Sequence, residues 1–336
     1  MQAGKLPAEL LASLLAKAPS RDPRVLLGPG IGRDAAVIDI GGPNLLVAKT
    51  DPITFATDQI GRYAVHVNAN DIACLGARPA WFLATIFLPE GTEPEAAASI
   101  FEQILEACEM LGVELIGGHT EITFGLDRPI VSGAMLGEVH RDRLVRPDGA
   151  RPGDILVLTK GIAIEGTAVL ALEASDRLRE MGVSDVALQA AREYLTDPGI
   201  SVVREATAAC ETVHVHAMHD PTEGGLATAL YEMAHSCGLG IVIEERQVSV
   251  YPATQDLCAT AKLDPLGVLA SGALLIAVSD EDHGDVLGAM ADIGVGARRI
   301  GKFIKRPGVI MISNGQRKPV PRFQRDEVAR FLSQTV

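Results

Sequence analysis

The sequence lacks an apolar run long enough to cross a membrane, since the longest candidate, residues 80–88, has the length of a buried strand. It also lacks a Cys-x-x-Cys pair, and its five cysteines are odd in number and scattered along the chain. We therefore expect buried free thiols in a reducing compartment rather than disulfides. The N-terminal residues have no signal-peptide layout, so the expected location is the cytoplasm.

The chain is also short of positive charge. The sequence has 30 Lys and Arg residues but 43 Asp and Glu residues, which gives a formal net charge of −13. This balance argues against a nucleic-acid groove and against binding to an anionic membrane surface. An anionic small ligand would need a metal ion or local backbone donors to be held.

Three familiar signatures are absent or incomplete. The glycine loop within residues 28–42 fails the dinucleotide fingerprint, because Arg33 takes the third glycine position and a strand follows. The run 296–302 looks like a P-loop, but Phe303 replaces the required Ser or Thr. Since no serine lies in a Gly-x-Ser-x-Gly turn, a serine hydrolase has little support.

Length and composition favour two folded domains. With 336 residues, of which 47% are hydrophobic and 22% charged, the chain can form two full cores. Predicted strands alternate with two long helices, residues 60–75 and 94–112, which indicates an α/β fold. The Pro/Gly-rich run 146–154 is the candidate boundary, so the predicted domains are residues 1–150 and 151–336.

The helix predicted at 60–75 carries a polar cluster, Asn68-x-Asn70-Asp71, among apolar residues. Asn and Asp are poor helix formers and costly to bury alone, so these side chains should face a partner. A cation or a polyphosphate is one such partner, because magnesium takes carboxylate and phosphate oxygens together. A buried hydrogen-bond network that ties down loops is the other, and this helix by itself leaves both open.

Four more polar stretches are predicted as loops beside strand or helix ends. They are residues 32–36, residues 49–52 with a bend at Pro52, residues 117–121, and residues 220–225. The last connects a predicted strand at 213–218 to a predicted helix at 226–236. A strand, a polar glycine turn and a helix N-terminus together favour an anion.

The order and spacing of five loops resemble those of the aminoimidazole ribonucleotide (AIR) synthetase superfamily. The loops are Gly32-Arg33-Asp34-Ala35-Ala36, Thr50-Asp51, Asn70-Asp71 with Gly76-Ala77-Arg78-Pro79, Gly117-Gly118-His119-Thr120, and Asp220-Pro221-Thr222-Glu223-Gly224-Gly225-Leu226. Within that superfamily they look most like the hydrogenase-maturation branch, the ATP-dependent carbamoyl dehydratases.

This resemblance implies an α/β fold of two domains. The N-terminal sheet would be a mixed sheet of four strands that forms a barrel across a homodimer, and the C-terminal domain an α/β sandwich. ATP and magnesium would bind beside the dimer interface.

The resemblance also implies roles for particular residues. Asp34, Asp51 and Asp71 would hold magnesium on the triphosphate. Gly117, Gly118 and Thr120 would contact phosphate, with Thr50, Asn70 and His119 at the same nucleotide site. Asp220 would close the site near the γ-phosphate, with Thr222 as the second catalytic position.

The sequence departs from the superfamily pattern at three places. Arg33 precedes Asp34 where many members have paired aspartates, and His119 follows the double glycine where the maturation proteins have an acid, which Glu121 could replace. The maturation proteins end in a cysteine that carries the carbamoyl group, whereas no cysteine lies beyond Cys258 here. We therefore expect that the tail chemistry does not run in cis.

Three functions follow as hypotheses. The first is an ATP- and magnesium-dependent enzyme that activates an acceptor oxygen by phosphoryl transfer, with the acceptor unknown. The second is a nucleotide-binding accessory or regulatory protein without turnover. The third is a metal hydrolase that uses His214, His216 and His219, although no local carboxylate completes a zinc pattern.

Overall fold

The structure, a computed structural model, describes residues 6, 8–18, 21–54 and 56–334. The described residues form two compact units. The N-terminal unit comprises those within 20–28 and 34–144, and the C-terminal unit comprises the rest, including the first helix, α1 (Ala8–Leu15). The change of unit falls after Leu144, and the domain bounds given above remain a prediction. None of the described helices is both long and apolar enough to span a membrane.

The N-terminal unit is a six-stranded sheet with two helices. Its elements are β1 (Val25–Leu27), β2 (Ala36–Asp39), β3 (Asn44–Ile53), α2 (Ile60–Cys74), β4 (Arg78–Pro89), α3 (Pro94–Leu111), β5 (Glu114–Thr123) and β6 (Ile130–His140). The strands lie in the order β1-β2-β3-β6-β4-β5, with only β4 and β5 parallel. The sheet is mixed as expected, but it has six strands rather than four.

The helix expected at 60–75 is α2, and this prediction is confirmed. All of its residues except Arg62 are buried, because the sheet packs against one side and α3 against another. Gly61 permits the close approach of α3, since a Cβ there would lie 2.5 Å from the carbonyl oxygen of Ile100. The polar residues of α2 are therefore held inside the unit.

The strand that precedes Lys49 is longer than predicted. β3 includes residues 49–52, so the expected loop and the bend at Pro52 are wrong. β2 pairs with β3 only as far as Ala48, which leaves one edge of β3 open where a proline is tolerated. Because side chains alternate along a strand, Lys49 and Asp51 share one face of the sheet.

The glycine-led loop predicted at 117–121 is also part of a strand. β5 runs through this segment and pairs with β4 on one side only. Most of its residues are exposed, including Ile116 and Ile122. An edge strand rich in glycine and polar residues lacks the apolar alternation from which strands are recognised, which explains the missed prediction.

The C-terminal unit contains a seven-stranded mixed sheet. Beyond α1, its elements are β7 (Ile155–Thr159), α4 (Ile164–Glu173), α5 (Ser175–Glu180), α6 (Asp185–Glu193), α7 (Val203–Thr212), β8 (Ala217–His219), α8 (Gly225–Cys237), β9 (Gly240–Glu244), α9 (Pro252–Ala261), β10 (Leu274–Val278), α10 (His283–Asp292), β11 (Ala297–Ile304), β12 (Gly308–Ser313), β13 (Gln316–Pro319) and α11 (Glu327–Leu332). The strand order is β13-β12-β9-β11-β7-β10-β8.

Both faces of this sheet are covered along β7 and β10, because every residue of these two strands is buried. The run that imitates a P-loop is β11, so it has neither the helix nor the phosphate loop of that motif. β8 covers only the end of the strand predicted at 213–218. All five cysteines lie in helices and none forms a disulfide, and Cys74, Cys108 and Cys258 are buried.

Candidate functional site

Three aspartates of the N-terminal unit gather around one lysine. The Nζ atom of Lys49 lies 2.8 Å from Oδ2 of Asp71 and 3.5 Å from Oδ2 of Asp51. Asp34, in the loop before β2, interacts electrostatically with both Lys49 and Asp71. We call Asp34, Lys49, Asp51 and Asp71 the carboxylate cluster. It brings together residues of β3, α2 and the segment before β2.

Asn68 ties α2 to β3 beside this cluster. Its Nδ2 atom donates to the carbonyl oxygen of Asp51 at 3.2 Å and to that of Ala64 at 2.8 Å. Gly133 on β6 makes room for the amide, because a Cβ there would lie 2.5 Å from Nδ2. The Oδ1 atom of Asn68 is buried and has no hydrogen-bond partner among the described residues. A buried acceptor of this kind is suited to a donor or a cation.

The cluster carries more negative than positive charge. Burial, with a smaller contribution from Asp34 and Asp51, raises the pKa of Asp71 to about 7, and the Lys49 ammonium only partly opposes this shift. Burial would lower the pKa of Lys49, but the three carboxylates outweigh it and raise that pKa above its ordinary value. Lys49 is therefore charged, and the site has a deficit of positive charge.

This donor set fits a magnesium ion. Carboxylate oxygens are the protein ligands that magnesium prefers, and it keeps water and phosphate oxygens in its other positions. A buried aspartate that lacks enough positive charge around it gains from a divalent ion. The hydrogen-bond network left open by the sequence is also present, since Asn68 bonds to two carbonyl oxygens. The hydrogen-bond network of Asn68 therefore lies beside the carboxylate cluster.

The predicted phosphate-contact residues lie in β5, away from β3 in the sheet. Asp51 pairs with Gly133, which pairs with Ala84, which pairs with Gly118, so these residues form one row across four strands. At about 4.8 Å between strands, this row places Gly118 about 14 Å from Asp51. Within one chain, a single phosphate group does not reach from one to the other.

The glycine at 118 has a packing reason of its own. A Cβ at Gly118 would lie 1.9 Å from the carbonyl oxygen of Ala84, whereas one at Gly117 meets nothing within 4 Å. The next residue, His119, is exposed, and its Nε2 atom lies 3.1 Å from Oε2 of Glu121. Thr120 is exposed as well. The nucleotide-contact roles of residues 117–120 remain a prediction.

Thr50 and Asn70, which are also predicted at the nucleotide site, do not belong to the carboxylate cluster. Thr50 points to the face of β3 opposite Lys49 and Asp51, and its Oγ1 atom donates to the carbonyl oxygen of Gly133 at 2.8 Å. Asn70 is fully buried within α2. Neither placement tests a contact with a nucleotide.

The Asp220 turn belongs to the C-terminal unit. β8 ends at His219 and α8 begins at Gly225, so the predicted polar turn and helix are confirmed, whereas the strand covers only residues 217–219. Asp220 is buried, and the carbonyl oxygen of Thr222 accepts from the amide of Ala270. Gly225 has a φ of 64°, and a Cβ there would lie 2.5 Å from the carbonyl oxygen of Leu266.

Asp326 holds this turn from the C-terminal end of the chain. Its Oδ2 atom accepts from the amide of Gly224 at 2.7 Å, and its Oδ1 atom accepts from the amide of Val328 at 2.7 Å. The same carboxylate therefore caps α11 and fixes the Asp220 turn. Burial raises the pKa of Asp326 to about 6, although both backbone donors act against the shift.

The three histidines of the hydrolase hypothesis bond to different groups. Nδ1 of His216 lies 2.7 Å from Oδ2 of Asp154, and Nε2 of His219 lies 3.1 Å from Oε2 of Glu232. The rings of His214 and His216 meet edge to face at 5.6 Å. Among the described residues, His214, His216 and His219 do not gather into one group of possible metal ligands, so their placement gives the hydrolase hypothesis no support.

Sequence reasoning missed four residues of these arrangements: Lys49, Asn68 as a link to β3, Gly133 and Asp326. A signal existed for Lys49, because Lys49 and Asp51 are two apart and would share a face if the strand continued. Asp326 offered only the cap pattern of an aspartate before a short helix. Its bond to Gly224 joins residues 102 positions apart, which no local pattern reveals.

Comparison with known proteins places these features in a family. The N-terminal domain of AIR synthase related proteins matches residues 32–139, and the C-terminal domain of the same proteins matches residues 151–314. The hydrogenase expression/formation protein MJ0676 of Methanocaldococcus jannaschii is 32% identical over 286 residues, covering 83% of this chain and 82% of that protein.

Two further similarities involve carbamoyl dehydratases and their structures. The carbamoyl dehydratase HypE of Cupriavidus necator is 31% identical over 286 residues, covering 82% of this chain and 77% of that protein. A crystal structure of the hydrogenase maturation protein HypE in complex with ATP superposes with a TM-score of 0.73 and 24% identity, covering 98% of each chain. The likeness in structure is one of fold.

Proposed function

The chain belongs to the AIR synthase related protein family, and on that premise we propose that it is an ATP- and magnesium-dependent enzyme that activates an acceptor oxygen by phosphoryl transfer. Relatives described as carbamoyl dehydratases, and a related protein crystallised with ATP, support this reaction class. The observation that carries the proposal is the carboxylate cluster, in which three acidic side chains from separate parts of the chain face one lysine.

In this proposal Asp34, Asp51 and Asp71 hold magnesium, which when bound neutralises charge on the phosphate groups. The protein itself fixes the positions of the carboxylates and supplies their negative charge. The β3–α2 contact made by Asn68 fixes two of the carboxylates relative to each other. Rigid placement of such groups is how phosphoryl-transfer enzymes lower the barrier, since the protein does little covalent chemistry itself.

The remaining predicted residues complete the nucleotide and acceptor sites. Gly117, Gly118, His119 and Thr120 contact the nucleotide, together with Thr50 and Asn70. Asp220 and Thr222 act at the γ-phosphate and the acceptor. The turn that carries them leads into the N-terminus of α8, whose free amides favour an anion. An acceptor with a carbonyl or carboxylate oxygen fits the reaction named for the relatives.

We further propose a homodimer formed through β5. This strand has an unpaired edge, and apolar side chains are exposed on it and just beyond, with Ile122 62% and Phe124 83% exposed. Exposed apolar edge strands associate readily with other strands. In such a dimer, the nucleotide-contact residues of one subunit could serve the carboxylate cluster of the other. This arrangement is consistent with Gly118 and Asp51 of one chain being too far apart to contact the same phosphate group.

Calorimetry with ATP and ADP, with and without magnesium, tests the nucleotide site. We expect magnesium-dependent binding in the wild type and at least about tenfold weaker binding in Asp51→Asn, which loses a charged ligand. Asp127→Asn is the matched control, because Asp127 is an exposed aspartate of the same unit. An absence of magnesium-dependent nucleotide binding in the wild type would remove the proposal.

Turnover separates the enzyme from an accessory protein. ADP release is followed with a panel of small carboxamides and carboxylates added as acceptors. Acceptor-dependent ADP release that Asp220→Asn abolishes would support the enzyme. Tight ATP binding without ADP release for any acceptor, with cellular function intact in Asp51→Asn, would instead support a nucleotide-binding accessory protein.

A further inference from the structure

Lys49 places an ammonium group inside the carboxylate cluster. Its Nζ atom contacts Asp71, whose side chain is only 4% exposed, and Asp51 on the same strand. The Lys49 side chain is itself 18% exposed. The ammonium therefore points inward, toward the most buried carboxylate. A lysine whose role is to bind phosphate would instead point its ammonium toward solvent.

The backbone of Lys49 is held within the sheet. Lys49 lies within the ten-residue strand β3 and pairs with Met135 on β6. β3 is bound on its other side by β2 as far as the preceding residue, Ala48. The sheet therefore fixes the point from which the side chain starts, and the contacts with Asp71 and Asp51 hold the ammonium at its end.

The charges of the cluster suggest what this ammonium does. Within the N-terminal unit, three carboxylates and one ammonium carry a formal charge of −2 when all three carboxylates are ionised, as they are when they hold a metal ion, and one divalent ion balances that charge. With an uncharged residue at position 49, the three carboxylates alone would leave −3. A cluster of that charge would hold a first divalent ion more tightly and would attract a second, because the attraction between charges grows as the dielectric constant falls.

We propose that Lys49 serves as a permanent cation of the site and takes the place of one divalent ion. This inference rests on the proposed nucleotide site and adds to it a residue that sets how many metal ions the site requires. The wild-type site then binds the nucleotide together with one divalent ion fewer than a variant with an uncharged residue at position 49. Lys49 is a positioning residue, since it acts on the carboxylates.

The test counts bound Mn²⁺ from the paramagnetic resonance signal of the free ion, with and without ADP. We expect Lys49→Met to bind one additional ion per ADP relative to the wild type. Without nucleotide, we expect this variant to bind its first ion at least about tenfold more tightly. Lys49→Arg keeps the charge and should match the wild type. Lys302→Met, at an exposed lysine of β11, is the control for loss of a lysine elsewhere.

Lys49→Gln covers the case in which Lys49→Met fails to fold, because its amide can still donate to a carboxylate although it carries no charge. It should bind the same additional ion per ADP as Lys49→Met. An unchanged ion count and affinity in Lys49→Met would overturn the inference. So would loss of ADP binding in both Lys49→Met and Lys49→Arg without any change in ion affinity, because that result identifies a phosphate ligand.

The outcome is separable from that of the proposed function. A wild type that binds no nucleotide would remove the nucleotide site. The comparison of Mn²⁺ affinity between the nucleotide-free wild type and Lys49→Met would still decide whether the ammonium substitutes for an ion.

Discussion

Removing one partner or the other of the Lys49–Asp71 ion pair should have opposite effects on stability in the absence of metal. Lys49→Met leaves three carboxylates without their ammonium, and loss of one partner of a buried pair typically costs about 3–5 kcal/mol. Asp71→Asn removes one of three negative charges that crowd a single positive one. The net charge of the cluster therefore decides the sign of each effect.

The pH dependence of Asp71 gives the magnitude. Burial raises the pKa of Asp71 from 3.8 to about 7, so the folded protein holds its proton where the unfolded chain has lost it. Stability then falls as pH rises through this window, because the folded state binds more protons than the unfolded state. A shift of about 3 units corresponds to about 4 kcal/mol as an upper limit, at about 1.4 kcal/mol per unit.

We expect Asp71→Asn to be more stable than the wild type by about 1–3 kcal/mol near pH 8. The two should be equally stable only near about pH 2.5, well below the ordinary pKa of 3.8, where Asp71 is protonated in both states. Lys49→Met should be less stable near pH 8. Urea unfolding in the presence of a chelator measures both. Trp81 is the only tryptophan in the sequence and lies in β4, so its fluorescence reports the unfolding of the N-terminal unit.

Asp127→Asn serves as the control for removal of one acidic charge from the same unit. If Asp71→Asn and Lys49→Met destabilise the protein equally near pH 8, the excess of negative charge is not present and the account of the carboxylate cluster fails. If the expected difference is observed, Asp71→Asn should still lose magnesium-dependent nucleotide binding. A gain in stability paired with a loss of ligand binding is the usual mark of a residue retained for function.

Three further predictions concern other parts of the chain. Gly118→Ala should lower the free energy of unfolding by about 3 kcal/mol or more, because the new Cβ meets the carbonyl oxygen of Ala84. Gly117→Ala has the same φ of 152° but open space around the new Cβ, so it should lose less, as measured by urea unfolding. Asp326→Ala should lower the free energy of unfolding by about 2–4 kcal/mol in thermal unfolding, since it leaves two buried amides without their acceptor. A loss under about 0.5 kcal/mol would contradict the capping role. Ile122→Lys should shift the protein from dimer to monomer in light scattering, and an unchanged mass would count against association through β5.

Local patterns in the sequence were sufficient for some features of the protein. The helix α2 was predicted because apolar residues surround its polar cluster and Gly76 stops it. The turn from β8 into α8 was predicted from Asp220-Pro221-Thr222 and the two glycines that follow. In both cases the physical cause lies within a few residues, namely periodic burial or a backbone conformation that glycine adopts.

The sequence also selected the aspartates of the candidate site, through five short loops in a characteristic order. It did not reveal that Lys49 stands among them. That depends on β3 continuing past Ala48, and an open edge with a proline in it carries no apolar alternation to indicate a strand. The same reasoning explains why β5, an exposed edge strand, was predicted as a loop.

What only the tertiary structure decided is which distant residues meet. Lys49 and Asp71 belong to different elements, and Gly224 and Asp326 lie 102 positions apart in the sequence. Such contacts depend on the register between strands and on the packing of helices against them. Local sequence determines the preference of each segment, whereas the partner of each buried charge is determined by how the segments pack, because burial makes an unpaired charge too costly to leave.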